Sequence, residues 1–179
     1  MANVDSIRFG AHLYMDAITN SLIDTLDIPH ISERLNRFHA SKPLYPQTTK
    51  DFIAAFQADT SVAFALRQQS DDRFIGVYGL ANLTWQARFA ELRVGLFDVA
   101  HLRADVLHDA ARISLQYAFL EANLNRIEAW VGADNAMWID ALLQAGFTEE
   151  GRIRQDRYRD GQYVDTVLLG VLRAEYPSE

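Results

Sequence analysis

Residues 126–172, RIEAWVGADNAMWIDALLQAGFTEEGRIRQDRYRDGQYVDTVLLGVL, decide the fold. RIEAWVGA reads as a strand, NAMWIDALLQA as a helix, and FTEEGRIRQDRY with QYVDTVLLGVL as two further strands. The last two are joined by Arg159-Asp160-Gly161. Asp-Gly is a strong two-residue hairpin signal, because both central residues can take positive φ.

Working upstream, residues 107–124 form one long predicted helix. Ala111, Leu115, Ala118 and Ala122 recur on one stripe, and Ile113, Tyr117, Leu120 and Leu124 on another, giving a wide buried face. Before it come three strand-like runs, SVAFAL, RFIGVYGLANL and ARFAELRVGLF, separated by the polar turns QQSDD and TWQ. Short consecutive connections imply an antiparallel meander. Towards the N-terminus, alternation at Phe9, Ala11 and Leu13 predicts a first strand ending near Tyr14, with Asp16 as cap for a helix running towards Leu26. Pro29 opens a second helix, PHISERLNRF, and residues 39–47, with Pro43 and Pro46, read as an ordered loop. Thr48 or Thr49 caps a further helix carrying Phe52, Ile53 and Phe56. This order predicts a mixed sheet with helices packed on it.

A chain of 179 residues with 49% apolar content suits one globular domain. The net charge of −7, from 24 acidic against 17 basic residues, argues against a general nucleic-acid binder and favours cationic partners such as amines. No basic-then-apolar leader and no run long enough to span a bilayer is seen, so a soluble, cytoplasmic protein without membrane partners is expected. With no cysteine, a thiolate zinc site and a cysteine nucleophile are excluded, and the five histidines lack paired metal-ligand spacing, so no metal is expected.

The run NLNRIEAWVGADN, followed by QAGFTEEGRIRQDRYRDGQYVDTVLLGVLRAEY, resembles the C-terminal half of the GNAT N-acetyltransferases, in particular the RimJ/RimL-like ribosomal-protein branch. FIGVYGL and AELRVGLFD resemble that family's third and fourth strands. The resemblance implies an α+β GNAT fold: a mostly antiparallel mixed sheet of about seven strands flanked by helices. The fourth strand, AELRVGL, and the fifth, RIEAWVG, would splay apart, with acetyl-CoA in the gap. Leu92, Arg93, Val94, Gly95 and Leu96 would line one side, and Trp130 and Val131 the other. A bulge at Val94 and Gly95 would turn a backbone N–H towards the thioester carbonyl, unless Gly95 is simply a strand glycine.

The family's phosphate-cradling motif falls on Leu102, Arg103, Ala104, Asp105, Val106 and Leu107, just before His108, and both of its glycines are missing. Asp105 places an anion beside an anion site, Leu107 adds bulk, and Arg103 offers a compensating cation. The family's pantetheine-contacting asparagine survives as Asn135. Trp138 stands where a small residue usually lets the cofactor pass, and Leu142 where many relatives carry a tyrosine acid. Glu91 is the implied general base, with a structural Glu91–Arg93 ion pair as the competing role. Tyr117, Tyr158 and Asp165 also match residues common in relatives. Ser114 lies on a helix without a base signal, so a serine nucleophile is not expected.

Two functions follow. One is acetyl transfer from acetyl-CoA to a primary amine, either a protein N-terminus or a small amine, with solvent as final acid. The other is a GNAT-fold interaction module in which Trp138 and Leu107 close the gap. A homodimer through hairpin edge strands fits either.

Overall fold

The computed structural model describes residues 8–24, 61–96, 103–159 and 161–176. The predicted helices and loop between residues 27 and 60, together with Leu102 and Asp160, lie outside the described residues.

The chain order is β1 (Arg8–Phe9), β2 (Leu13–Asp16), α1 (Asn20–Ile23), β3 (Val62–Gln68), β4 (Phe74–Thr84), β5 (Phe89–Leu96), α2 (Ala104–Gln116), a π turn (Tyr117–Glu121), β6 (Arg126–Gly132), α3 (Ala136–Gln144), β7 (Thr148–Arg159) and β8 (Gln162–Leu172). All strands of the described residues join one sheet in the order β1-β2-β3-β4-β5-β6-β8-β7. It has eight strands when the two-residue β1 is counted, so the fourth and fifth strands expected from sequence are β5 and β6. Every neighbouring pair is antiparallel except β5–β6. The meander and the final hairpin form as their alternation and short connections dictate, and Gly161, between β7 and β8, takes φ +82°.

The N-terminal strand breaks in two. Gly10 donates to the Leu13 carbonyl at 2.7 Å, so Ala11 lies in a turn between β1 and β2 rather than within one strand. Asp16 belongs to β2, and the Leu22 N–H donates to the Thr19 hydroxyl at 3.2 Å, so Thr19 fills the expected capping role. The long helix starts three residues before its predicted boundary, at Ala104, and its last turn is widened into the π turn.

The core lies between one sheet face and the two helices. Tyr78, Leu80, Leu92, Val94, Ile127, Ala129, Val131, Val167 and Leu169 meet Leu107, Ala110, Ala111, Leu115, Ala118 and Phe119 of α2 and its π turn, and Trp138, Ala141 and Leu142 of α3. The fully buried Tyr78 reaches the Ser114 carbonyl at 3.3 Å, tying β4 to α2. Alternation along β6 sends Ile127, Ala129 and Val131 into this core and leaves Arg126, Glu128 and Trp130 half-buried on the opposite face. No described helix is long and apolar enough to cross a membrane.

Candidate active site

The parallel pair β5–β6 is in register for only three rungs: Phe89 with Arg126, Ala90 with Ile127, and Glu91 with Glu128. Beyond Glu91 and Glu128 the strands diverge. Each keeps its outer partner, since β5 pairs with β4 up to Leu96 and β6 pairs with β8 up to Gly132. The result is a V whose inner walls are two strand edges that no longer pair with each other. Alternate residues of a paired strand direct N–H and C=O away from the existing partner, so both walls offer backbone hydrogen-bonding groups to an extended ligand.

No bulge occurs at Val94 and Gly95, where the β4–β5 register runs unbroken from Gly76–Leu96 to Ala81–Glu91. Backbone groups open to the gap through strand divergence instead. The irregularity falls between Ala81 and Thr84, where Asn82 adopts φ +53°. That bulge swings the Asn82 amide onto Glu91 Oε2 at 2.7 Å.

At the apex, parallel register places Glu91 and Glu128 side by side on one face, about 4.8 Å apart in the backbone. Arg93 grips Glu91 with two parallel bonds, Nε to Oε1 at 3.0 Å and a terminal nitrogen to Oε2 at 2.9 Å. The competing ion-pair role is thus realised in the structure. Glu128 takes the Trp130 indole N–H on Oε1 at 2.9 Å and a longer contact from Arg126 on Oε2 at 3.3 Å. The Arg126 guanidinium is itself engaged by both carboxylate oxygens of Glu150.

At the mouth, α2 begins with Arg103 as its extended N-cap residue, without a side-chain cap. Arg103 pairs with Asp105, whose carboxyl is held below its ordinary range chiefly by that guanidinium and also by the Val106 N–H. His12, from the β1–β2 turn, brings Nε2 to 3.8 Å from Asp105. The helix end therefore carries cation and anion together. Ala104 is exposed, His108 half-buried and Leu107 deep in the core.

A family model described as "Acetyltransferase (GNAT) domain" matches residues 13–148. The chain belongs to the GNAT acetyltransferase family. The probable N-acetyltransferase YjcK of Bacillus subtilis is 32% identical over 126 residues, spanning 70% of this chain and 69% of that protein. The putative ribosomal N-acetyltransferase YdaF of the same organism is 29% identical over 110 residues, spanning 61% and 59%. In fold, the chain is similar to a spermidine N-acetyltransferase from Vibrio cholerae solved with CoA and spermine, with TM-score 0.78, 17% identity, and 92% and 97% coverage.

Within this GNAT domain the other sequence-derived candidates separate clearly. Asn135 is the N-cap of α3, half-buried and without a side-chain cap bond. Trp138 is 3% exposed and Leu142 fully buried, both in the core that contains Leu107. Tyr117 packs edge-on against Phe64 at 4.7 Å between ring centres, and burial pushes its phenol up. Tyr158 is exposed and packs edge-on against Tyr163, while Asp165 accepts the Gln155 N–H at 2.9 Å within the hairpin. Ser114 spends its hydroxyl on the Ala110 carbonyl at 2.6 Å.

Two carboxylates escaped the sequence reading. Glu128 stood on the polar side of its strand, but nothing local revealed that it would face Glu91. Asp109 was more legible. It falls three residues after Val106 and four before Ile113, on the buried stripe of α2, where an unexplained acid signals a partner.

Proposed function

We propose that this protein transfers the acetyl group of acetyl-CoA to a primary amine. The divergence of β5 and β6 past Glu91 and Glu128 carries the reading, because two open strand edges suit the amide-bearing pantetheine arm. The walls would be Leu92 to Leu96 on one side and Trp130 and Val131 on the other. Arg103, with Ala104, Asp105 and His108 around the start of α2, would meet the phosphates, and Asn135 the arm, while the buried Leu107, whose N–H donates to the Arg103 carbonyl at 2.9 Å, would only back this turn from the core.

The chemistry asks for three things. A carboxylate must take the proton of the substrate ammonium so that the nitrogen lone pair can attack the thioester carbon. Backbone N–H groups along β5 can steady the oxyanion that forms. When the C–S bond breaks, the thiolate takes its proton from solvent, since Leu142 has none to give. The negative net charge and the relatives named above support an amine acceptor, with a protein N-terminus or a polyamine as the acceptor classes.

The test is direct. Acetyl-CoA at 100 times its dissociation constant should add about 2.7 kcal/mol of stability, read as a thermal shift. Mixing with spermidine or with peptides beginning in Ala or Ser should release free CoA thiol. Absence of both the shift and binding heat near millimolar acetyl-CoA would leave the interaction-module reading standing.

A further inference from the structure

We infer that Glu128 on β6, rather than Glu91 on β5, is the carboxylate that takes the proton from the acceptor amine. The inference rests on the acetyl-transfer reading above and specifies its base.

Both carboxylates stand at the last rung before the strands part, on the same face, so either is placed to meet an amine at the apex. Their surroundings differ. Glu91 has both oxygens occupied by Arg93, with Asn82 adding a third bond on Oε2, and its side chain is 8% exposed. To act as a base it would have to give up a bond from Arg93 or Asn82, because an oxygen that takes a proton no longer accepts from them in the same way. Glu128 accepts two bonds, one from the Trp130 indole on Oε1 at 2.9 Å and a longer one from Arg126 on Oε2 at 3.3 Å, and its side chain is 17% exposed.

The cation nearest Glu128 is largely used elsewhere. Arg126 directs one terminal nitrogen to each Glu150 oxygen and reaches Glu128 only at 3.3 Å. Gly170, opposite Glu128 on β8, makes this possible, because a Cβ there would collide with the Glu150 carboxylate. Among the described residues, those around Glu128 are Glu91 and Arg93 from β5, Gly170 from β8, Glu150 from β7, and Arg126 and Trp130 from its own strand. Arg93 balances Glu91 and Glu150 balances Arg126. Oε2 of Glu128 holds only the longer bond from an Arg126 shared with Glu150, and it lies at the rung beside the gap, where it can meet an ammonium and accept its proton.

In the step, an N–H bond of the ammonium breaks and its proton passes to Glu128 Oε2. The freed lone pair forms the N–C bond, the nitrogen releases its second proton to water as the C–S bond breaks, and the CoA thiolate takes a proton from water, leaving the amide and free thiol.

Glu128→Gln keeps an acceptor oxygen for Trp130 and removes the base. With spermidine or an Ala-peptide, kcat should fall by roughly 100-fold or more, with acetyl-CoA affinity unchanged. With hydroxylamine, whose nitrogen is already neutral at assay pH, the loss should shrink to within about threefold, because the step no longer needs the base. Glu91→Gln should lower the melting temperature more and kcat less. Equal losses on both acceptors, or a Glu128→Gln kcat within about threefold of wild type on the basic amine, would overturn the assignment. Should Glu128→Gln not fold, Trp130→Phe, which keeps the carboxylate but removes its orienting N–H, should still cost about tenfold in kcat. An unchanged kcat there counts against the proposal. A wild-type protein that turns over no amine sinks the acetyl-transfer reading itself, and this assignment with it.

Discussion

Asp109 receives the backbone N–H groups of Ala11, His12 and Leu13 at 2.9, 2.7 and 2.9 Å, although 96 to 98 residues separate the partners. One buried carboxylate on α2 therefore holds the β1–β2 turn against the helix. Gly10 belongs to the same contact, because a Cβ there would land on the carboxylate. Asp109→Ala strands the buried Leu13 donor and returns two others to water, so a loss of about 2–3 kcal/mol is expected. Amide exchange should speed up at residues 11–13 while the β4–β5 ladder stays protected. A second residue-scale cluster sets a pH dependence. Arg67 donates to the Tyr14 hydroxyl at 2.9 Å and to Asp72 at 2.8 Å, and Tyr14 donates to Asp72. Arg67, and then Tyr14, hold the Asp72 carboxyl below its ordinary 3.8, while burial, and then Asp72, raise the Tyr14 phenol above 10.0. A depressed carboxyl contributes stability above its unfolded value and loses it as pH falls through the folded one. A raised phenol contributes below its unfolded value and loses that as pH climbs. Asp72→Asn tests the acid side cleanly, since Asn also tolerates the φ of +60° found there. Its melting temperature should lie below wild type at pH 7, with the gap closing below about pH 3.8. A gap constant with pH would rule the carboxylate's charge out as its source.

At the scale of elements, what the sequence revealed tracks how local the cause is. β3 to β8 and α3 appear where strand runs, helical spacing and the Asp-Gly turn put them, because each is set by residues within a few positions. Local alternation predicts one strand where the β1–β2 hairpin forms, because Asp109, which pins its turn, lies far along the chain. The V between β5 and β6 was reachable only through family resemblance, and the Glu91–Glu128 rung needs a parallel register that no turn fixes. The bulge at Asn82 has a similar cause, since its partner Glu91 is nine residues away on the next strand. Trp138 raises the sharpest question at this scale, whether its indole supports α3 or obstructs the gap. Burial to 3% in the core between the sheet and α2 argues for support. Trp138→Ala should therefore cost about 3–5 kcal/mol in denaturant unfolding. Acetyl-CoA should bind it no better than wild type in calorimetry. Tighter binding by this variant would mean that the indole occupies the cofactor's path.

Across the whole molecule, a net charge of −7 biases which acceptors arrive at the gap. A summed negative potential raises the local concentration of cations and speeds their capture, and salt weakens it as the Debye length shrinks from about 10 Å at 0.1 M to about 3 Å at 1 M. The effect grows with acceptor charge. A polyamine and a peptide with a single positive terminus should thus separate in salt even if both react at the same apex. For spermidine, kcat/KM should fall by about tenfold between 0.02 and 0.5 M salt, carried almost wholly by KM. For an Ala-peptide with no other cationic group the fall should stay within about twofold, since a single charge gains little from the field. Salt leaves the proton transfer and C–S cleavage untouched, so kcat should hold for both. Equal, small salt effects on the two acceptors would show that the acidic surface plays no part in choosing the amine, and that selection rests on shape and hydrogen bonding at the gap alone.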